Sequence, residues 1–148
     1  MHAIKTIVAA IIFVLLAGCA ATGPLYSDMS ASIPTLPANK GRIYFYRSDT
    51  ALGAAVTSDI SLNGKVVGKS ERASVFYVDQ TPGNCVVSTS TEVEKQLTFT
   101  LAANETRYVH TSVSLGVFVG RINAKLVNAA EAKSEIASLH FTGGQAQK

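Results

Sequence analysis

Nucleophilic catalysis needs a hydroxyl or thiol beside a histidine, with a carboxylate to orient the histidine. The sequence offers one loose arrangement of that kind. Ser112 lies two residues from His110 on the same side of an alternating stretch, and Asp79 is a carboxylate whose place the spacing leaves open. No Gly-x-Ser-x-Gly elbow accompanies them, and an ordinary polar strand face accounts for Ser112 and His110 more simply. For a metal, His110 and His140 each lack a neighbouring ligand at a usable spacing. Gly116-Val-Phe-Val-Gly120 lacks the glycine spacing and the Lys-Ser/Thr pair of a phosphate loop, so it reads as a bend or bulge between strands. Asn104-Glu-Thr106 reads as a turn. The expectation is a non-enzymatic chain with no catalytic residue, no metal ligand and no cofactor. Tyr44, Tyr46 and Tyr77 leave two readings open. They line an exposed aromatic surface suited to sugar rings or protein, or they are half-buried strand residues at the rim of a core.

The residue whose surroundings do specify chemistry is Cys19. Lys5 supplies a positive start, Ile7 to Leu16 is an unbroken apolar run, and small residues Ala17 and Gly18 follow. That order is the anatomy of a secretory signal. The uncharged stretch from Ile7 to Ala21 is shorter than the ~20 residues a membrane-crossing helix needs. Leu16-Ala17-Gly18-Cys19 places small side chains before a scissile bond and a thiol nucleophile directly after it. The tetrad resembles the bacterial lipobox, which implies diacylglycerol on Cys19 and removal of residues 1–18. Two or more acyl chains anchor stably where one does not, each buried methylene contributing ~0.8 kcal/mol. Ala20 rather than Asp follows the cysteine, which in lipoproteins of this type implies the outer membrane, facing the periplasm.

Residues 20–39 contain Pro24, Pro34 and Pro37 among Ala, Ser and Thr, with Asp28 the sole charge. They carry no apolar period and read as a flexible tether. Such a tether spans at most ~66 Å extended and ~25 Å as a coil, so the domain is expected to float clear of the lipid. Residues 142–148, with Gly143-Gly144, read as a disordered tail.

Between these, residues 40–141 suffice for one core. Arg42 to Arg47 alternates and is rich in aromatic and β-branched residues. Leu97, Phe99 and Leu101 face one way along 96–101. Val109, Val113 and Leu115 oppose His110, Ser112 and Ser114, and Ile122, Ala124 and Leu126 form a further apolar set. Asn63-Gly64 between two short apolar runs is a hairpin signal, because both positions favour positive φ. Pro82-Gly83 marks another turn, leading to a strand whose first apolar residue is Cys85, read as a small buried thiol. With Cys19 assigned to lipid, Cys85 has no partner for a disulfide. Asn128 and Glu131 form a helix-capping pair, and Ala129, Ala132, Ile136 and Leu139 share one face. The pattern predicts an all-β fold: an antiparallel β-sandwich or open barrel of seven to eight short strands with one C-terminal helix.

Gly41-Arg-Ile-Tyr-Phe-Tyr-Arg47, Leu62-Asn-Gly-Lys-Val-Val-Gly68, Thr81-Pro-Gly83 and Thr106-Arg-Tyr-Val109 resemble the small envelope proteins of the domain of unknown function 2846 family. Their hairpin and Pro-Gly turn recur in β-modules of the PEGA type. The resemblance implies an extracytoplasmic β-domain and brings no activity with it. The formal charge of +3 includes Lys5 of the leader, and the bases are scattered without a run of three, which argues against a nucleic-acid partner. The sequence thus describes a membrane-attached lipoprotein whose domain binds an envelope protein or glycan, or serves structurally. The second reading is a periplasmic inhibitor of an enzyme such as lysozyme.

Overall fold

The computed structural model describes residues 20–89, 94–118 and 120–146, the side chains of residues 145 and 146 excepted. Among the described residues nine strands form two sheets. These are β1 (Gly41–Arg47), β2 (Ser58–Leu62), β3 (Lys65–Ser70), β4 (Ser74–Gln80), β5 (Gly83–Thr89), β6 (Lys95–Leu101), β7 (Thr106–Ser114), β8 (Arg121–Val127) and β9 (His140–Ala146). One sheet has the order β8-β7-β1-β4-β9 and the other β3-β2-β5-β6. Among the described residues two helices accompany them, α1 (Tyr26–Met29), continued by a 3-10 turn at Ser30–Ser32, and α2 (Ala129–Ile136). The fold is the expected β-sandwich with a C-terminal helix, not a closed barrel. Its pairing is not wholly antiparallel, since β1 pairs with β7, and β4 with β9, in parallel.

Local chemistry sets the shorter connections. Asn63 and Gly64 take φ of 50° and 81°, the double positive φ that suits a two-residue hairpin turn. Asn63 also ties the turn to β5: its side-chain oxygen accepts from the Val86 N–H at 2.8 Å, and its own N–H donates to the Val86 carbonyl. Asn128 accepts from the Glu131 N–H at 2.9 Å and its amide donates to the Glu131 carboxylate at 3.1 Å, so the cap read from the sequence starts α2. Of the four residues expected on one helical face, Ala132, Ile136 and Leu139 are buried, whereas Ala129 is exposed.

There are two cores, one on each face of the five-stranded sheet. Between the sheets lie Ile43, Phe45, Ile60, Leu62, Phe76, Val78, Cys85, Val87, Phe99, Leu101 and Val109 among others. On the opposite face, Tyr44, Tyr46, Val75, Tyr77 and Tyr108 pack against Ala132, Ile136 and Leu139, with Tyr26, Ile33, Val127 and Phe141 around them. Strand β1 is therefore buried at every position. Its alternation separates an aliphatic-and-Phe face from a tyrosine face, not an inside from an outside.

Both chain ends depart from the sequence reading. Residues 20–39 are not free of the domain. Ala21 is buried and its N–H donates to the Arg72 carbonyl at 2.9 Å. The Tyr26 N–H donates to the Leu139 carbonyl, and the Phe141 N–H to that of Pro24. The segment runs along the tyrosine face from the Ala20–Arg72 bridge to Pro34, whose carbonyl accepts from Arg42. Polar composition hid this, because a few apolar residues, Ala21, Tyr26 and Ile33, supply the contacts. Residues 140–146, expected to be partly a disordered tail, form β9 beside β4. Leu115, placed on the core face of its strand, lies past the end of β7 and is 82% exposed.

Candidate functional site

Cys19, the one residue the sequence singles out for modification, lies outside the described residues; its neighbour Ala20 is the first of them. Ala20 forms a parallel bridge with Arg72, just before β4. Leu25 bridges His140 at the start of β9, where the His140 ring meets the Gly23 carbonyl, Nδ1 to O 2.7 Å. The same end of the sandwich carries the close of β1, the loop 48–57, and the β7–β8 connection. Arg47 organises it from below. Its buried guanidinium donates to the carbonyls of Gly53, Val56 and Ser70, and burial lowers its pKa, with the nearby Arg72 charge adding to the effect. Arg72 pairs with Asp49 across the surface at 2.5 Å.

The loosely assembled catalytic candidates are not brought together. Asp79 stands opposite Arg42, four positions along β1 from Tyr46, the residue opposite His110. There its carboxylate takes two bonds from Arg42, at 2.6 and 2.8 Å, in a buried pair. The same guanidinium lies 4.1 Å from the centre of the Tyr77 ring, and its bond to Asp79 raises its pKa against the opposing effect of burial. His110 contacts Ser48, not Ser112: Nε2 and Oγ are 3.1 Å apart. Ser48 sits just beyond β1, so no spacing along β7 could have pointed to it. The imidazole stacks on Tyr46 with centroids 4.8 Å apart. Desolvation lowers the His110 pKa, partly opposed by the carboxylate of Glu135. Among the described residues no carboxylate bonds its other nitrogen, so the pair is a desolvated imidazole bonded to a hydroxyl and lacks the orienting acid of a triad.

Tyr44, Tyr46 and Tyr77 do not form an exposed surface. They are 6%, 1% and 8% exposed, deeper than the rim position that was the other expectation. Tyr44 stacks on Tyr108 at 5.4 Å and meets Tyr26 edge-on at 5.8 Å, with the hydroxyls of Tyr26 and Tyr44 3.3 Å apart. This aromatic layer is the seat on which the N-terminal segment and α2 rest. Cys85 is buried with no solvent exposure, and burial raises its thiol pKa, which suppresses the reactive thiolate. His140 serves the N-terminal segment through Gly23.

A concavity of about 220 Å³ opens between β3 and β9 and is lined by Val67, Gly68, Lys69, Glu71, Phe76, Thr142 and Gly143. Small-molecule sites usually enclose ~300–1,000 Å³, so this groove is below the size of a typical ligand site.

An uncharacterised protein of Haemophilus influenzae (strain ATCC 51907 / DSM 11121 / KW20 / Rd) is 29% identical over 100 residues, which are 67% of this chain and 59% of that protein. The chain thus spans less than two thirds of this relative's length. No solved structure matches. Residues 37–122, more than half of the chain and the whole run from β1 to β7, match the family model described as protein of unknown function (DUF2846); the chain belongs to that family.

Proposed function

We propose that the protein is a membrane-anchored bacterial lipoprotein whose β-domain faces the periplasm, from the outer membrane, as a non-enzymatic binding or structural module. The observation that carries the reading is Leu16-Ala17-Gly18-Cys19 at the end of an apolar run, followed at once by a segment docked on the domain. A second consideration favours a module without catalysis. Several ionisable side chains in or near the cores hold the fold: Arg42 with Asp79, Arg47 with three carbonyls, His110 with Ser48.

Metabolic labelling with an acyl probe tests the anchor. The wild-type chain takes up label and Cys19→Ser does not, and mass analysis places the new amino terminus at Cys19. Equal labelling of both proteins rejects the reading. For the partner, crosslinking in intact cells followed by capture of the anchored protein identifies the envelope protein or glycan that it contacts.

A further inference from the structure

Four large apolar side chains stand in solvent at one end of the sandwich. Leu52 is 57% exposed, Leu115 82%, Val117 73% and Phe118 89%. Leu115 to Phe118 follow β7, and the sequence from Leu115 to Gly120 contains no charge. The β7–β8 hairpin continues from the Tyr46–His110 pair to Ser114–Arg121. That is four residues, or ~13 Å of strand, so Leu115 to Phe118 lie well beyond the last β1–β7 pair.

The projection is braced. Gly53, at φ 68°, and Gly120 lie so close to Val113 that a Cβ at either would collide with its side chain, which clamps the 51–56 turn against the hairpin. Arg47 holds the Gly53 and Val56 carbonyls from beneath, and the Asn123 amide donates to Ser114 Oγ at 2.8 Å across the hairpin. Leu52 is thereby carried to the same end as Leu115, Val117 and Phe118.

What lies against this tip follows from where the chain leaves the domain. Ala20 is bridged to Arg72, and Arg72 shortly precedes β4, whose first residue is opposite the last of β1. The exit of residues 1–19 is therefore at the same end of the sheet as the apolar tip. In the order β7-β1-β4 the two are offset across the sheet by two strand spacings, about 10 Å, with the tip lying further along the strands. Cys19 is one residue further, ~3.8 Å from Ala20 between Cα atoms. A lipid on Cys19 would therefore enter its bilayer at the end of the domain that carries the tip.

We propose that Leu52, Leu115, Val117 and Phe118 insert into the boundary between headgroups and acyl chains of the leaflet that holds the Cys19 lipid. The occupant of this surface is the bilayer itself. The insertion gives the domain a second, non-covalent foothold and a fixed orientation, with the β6–β7 turn at residues 102–105 pointing away from the membrane. This inference rests on the anchored reading above.

The chain has no tryptophan, so Phe118→Trp introduces a unique fluorophore at the tip, and Ala103→Trp in the distal turn is its control. Both lipidated full-length proteins are reconstituted into phosphatidylethanolamine–phosphatidylglycerol vesicles, and flotation scores attachment first. The expected result for Phe118→Trp is blue-shifted indole emission that acyl-brominated lipid quenches. The emission of Ala103→Trp stays unshifted and unquenched. Adding Leu115→Asp to Phe118→Trp returns the emission toward its water value while flotation persists. Vesicles that float with the tip fluorophore unquenched overturn the insertion and leave the anchor standing. A blue shift that appears without lipid and grows with protein concentration assigns the tip to a second copy and also overturns it. Failure to float, with no label at Cys19, rejects the anchor and the insertion together.

Discussion

Burying a charge is tolerable only when its partner is beside it, and Arg42 and Asp79 meet that condition with two bonds across a β1–β4 register pair. Removing one member leaves the other stranded. Asp79→Asn is expected to lower stability by about 3 kcal/mol, and Arg42→Ala by at least as much because it also abandons the Pro34 carbonyl. Urea unfolding followed by circular dichroism measures both. His110 makes a different prediction. Its folded pKa lies below the unfolded value of about 6.5, so the unfolded chain binds the extra proton first as the pH falls. Its contribution is therefore intact above about pH 6.5 and is lost below it. Thermal melts at about pH 7.5 and about pH 5.5, on either side of that value, should show a drop that shrinks in His110→Gln. An unchanged drop would remove His110 as its source. Neither site was legible from spacing. Asp79 meets Arg42, and Ser48 meets His110, only through pairings that bring distant stretches of chain together. Cys85 was legible, since a lone thiol on the apolar face of a strand has few other places to go.

At the scale of elements, local signals succeeded where the chemistry is itself local. The Asn63-Gly64 turn and the Asn128 cap need only their neighbours, and both form. Composition misled at β9, where Gly143-Gly144 reads as a loose tail. Gly144 is in fact opposite Tyr77 in the β4–β9 ladder, so near its ring that a Cβ would overlap it. Gly143 takes a φ of 147° at the irregularity between Val75 and Phe76. Gly144 is thus a steric requirement of the aromatic face, and Gly143 a conformational one. Gly144→Val should accordingly destabilise the fold by about 1–3 kcal/mol, the usual cost of overpacking, visible as a lower urea midpoint. A variant as stable as wild type would mean that β9 is not held against Tyr77. The tyrosine face misled for a related reason. A strand with alternating Tyr reads as having one wet side, whereas two layers of chain cover β1 from both sides.

For the whole molecule, the family match and the architecture divide the chain differently. The match covers residues 37–122, which supply the four-stranded sheet and most of the five-stranded one. Residues 20–36 and those from 123 onward provide α1 and α2 of the lid over the tyrosines, together with most of β8 and the edge strand β9. A fragment of residues 40–141, the extent suggested by composition, retains both sheets but loses Ala21, Tyr26 and Ile33 from that lid and most of β9. Losing the partly buried Tyr26 and Ile33 with buried Ala21 is worth roughly 2–4 kcal/mol. The fragment should melt well below residues 20–148 and bind a hydrophobic dye that the longer chain excludes. Equal melting temperatures would show that the lid is dispensable.

The docked N-terminal segment also has a mechanical meaning. In the anchored protein proposed above, tension between Cys19 and the domain would fall first on the Ala21–Arg72 backbone bond, then on the bonds at Gly23, Pro24 and Tyr26, and only afterwards on the aromatic contacts. Because these are loaded one after another from a single end, the segment yields by peeling at low force, while the sheets, pulled as a unit, stay intact. Each residue released contributes ~3.3 Å of contour length, so residues 20–39 once freed span up to ~66 Å, against the shorter distance they cover when docked. An anchored chain would then have two reaches, one with this segment docked on the tyrosine face and one with it stripped away.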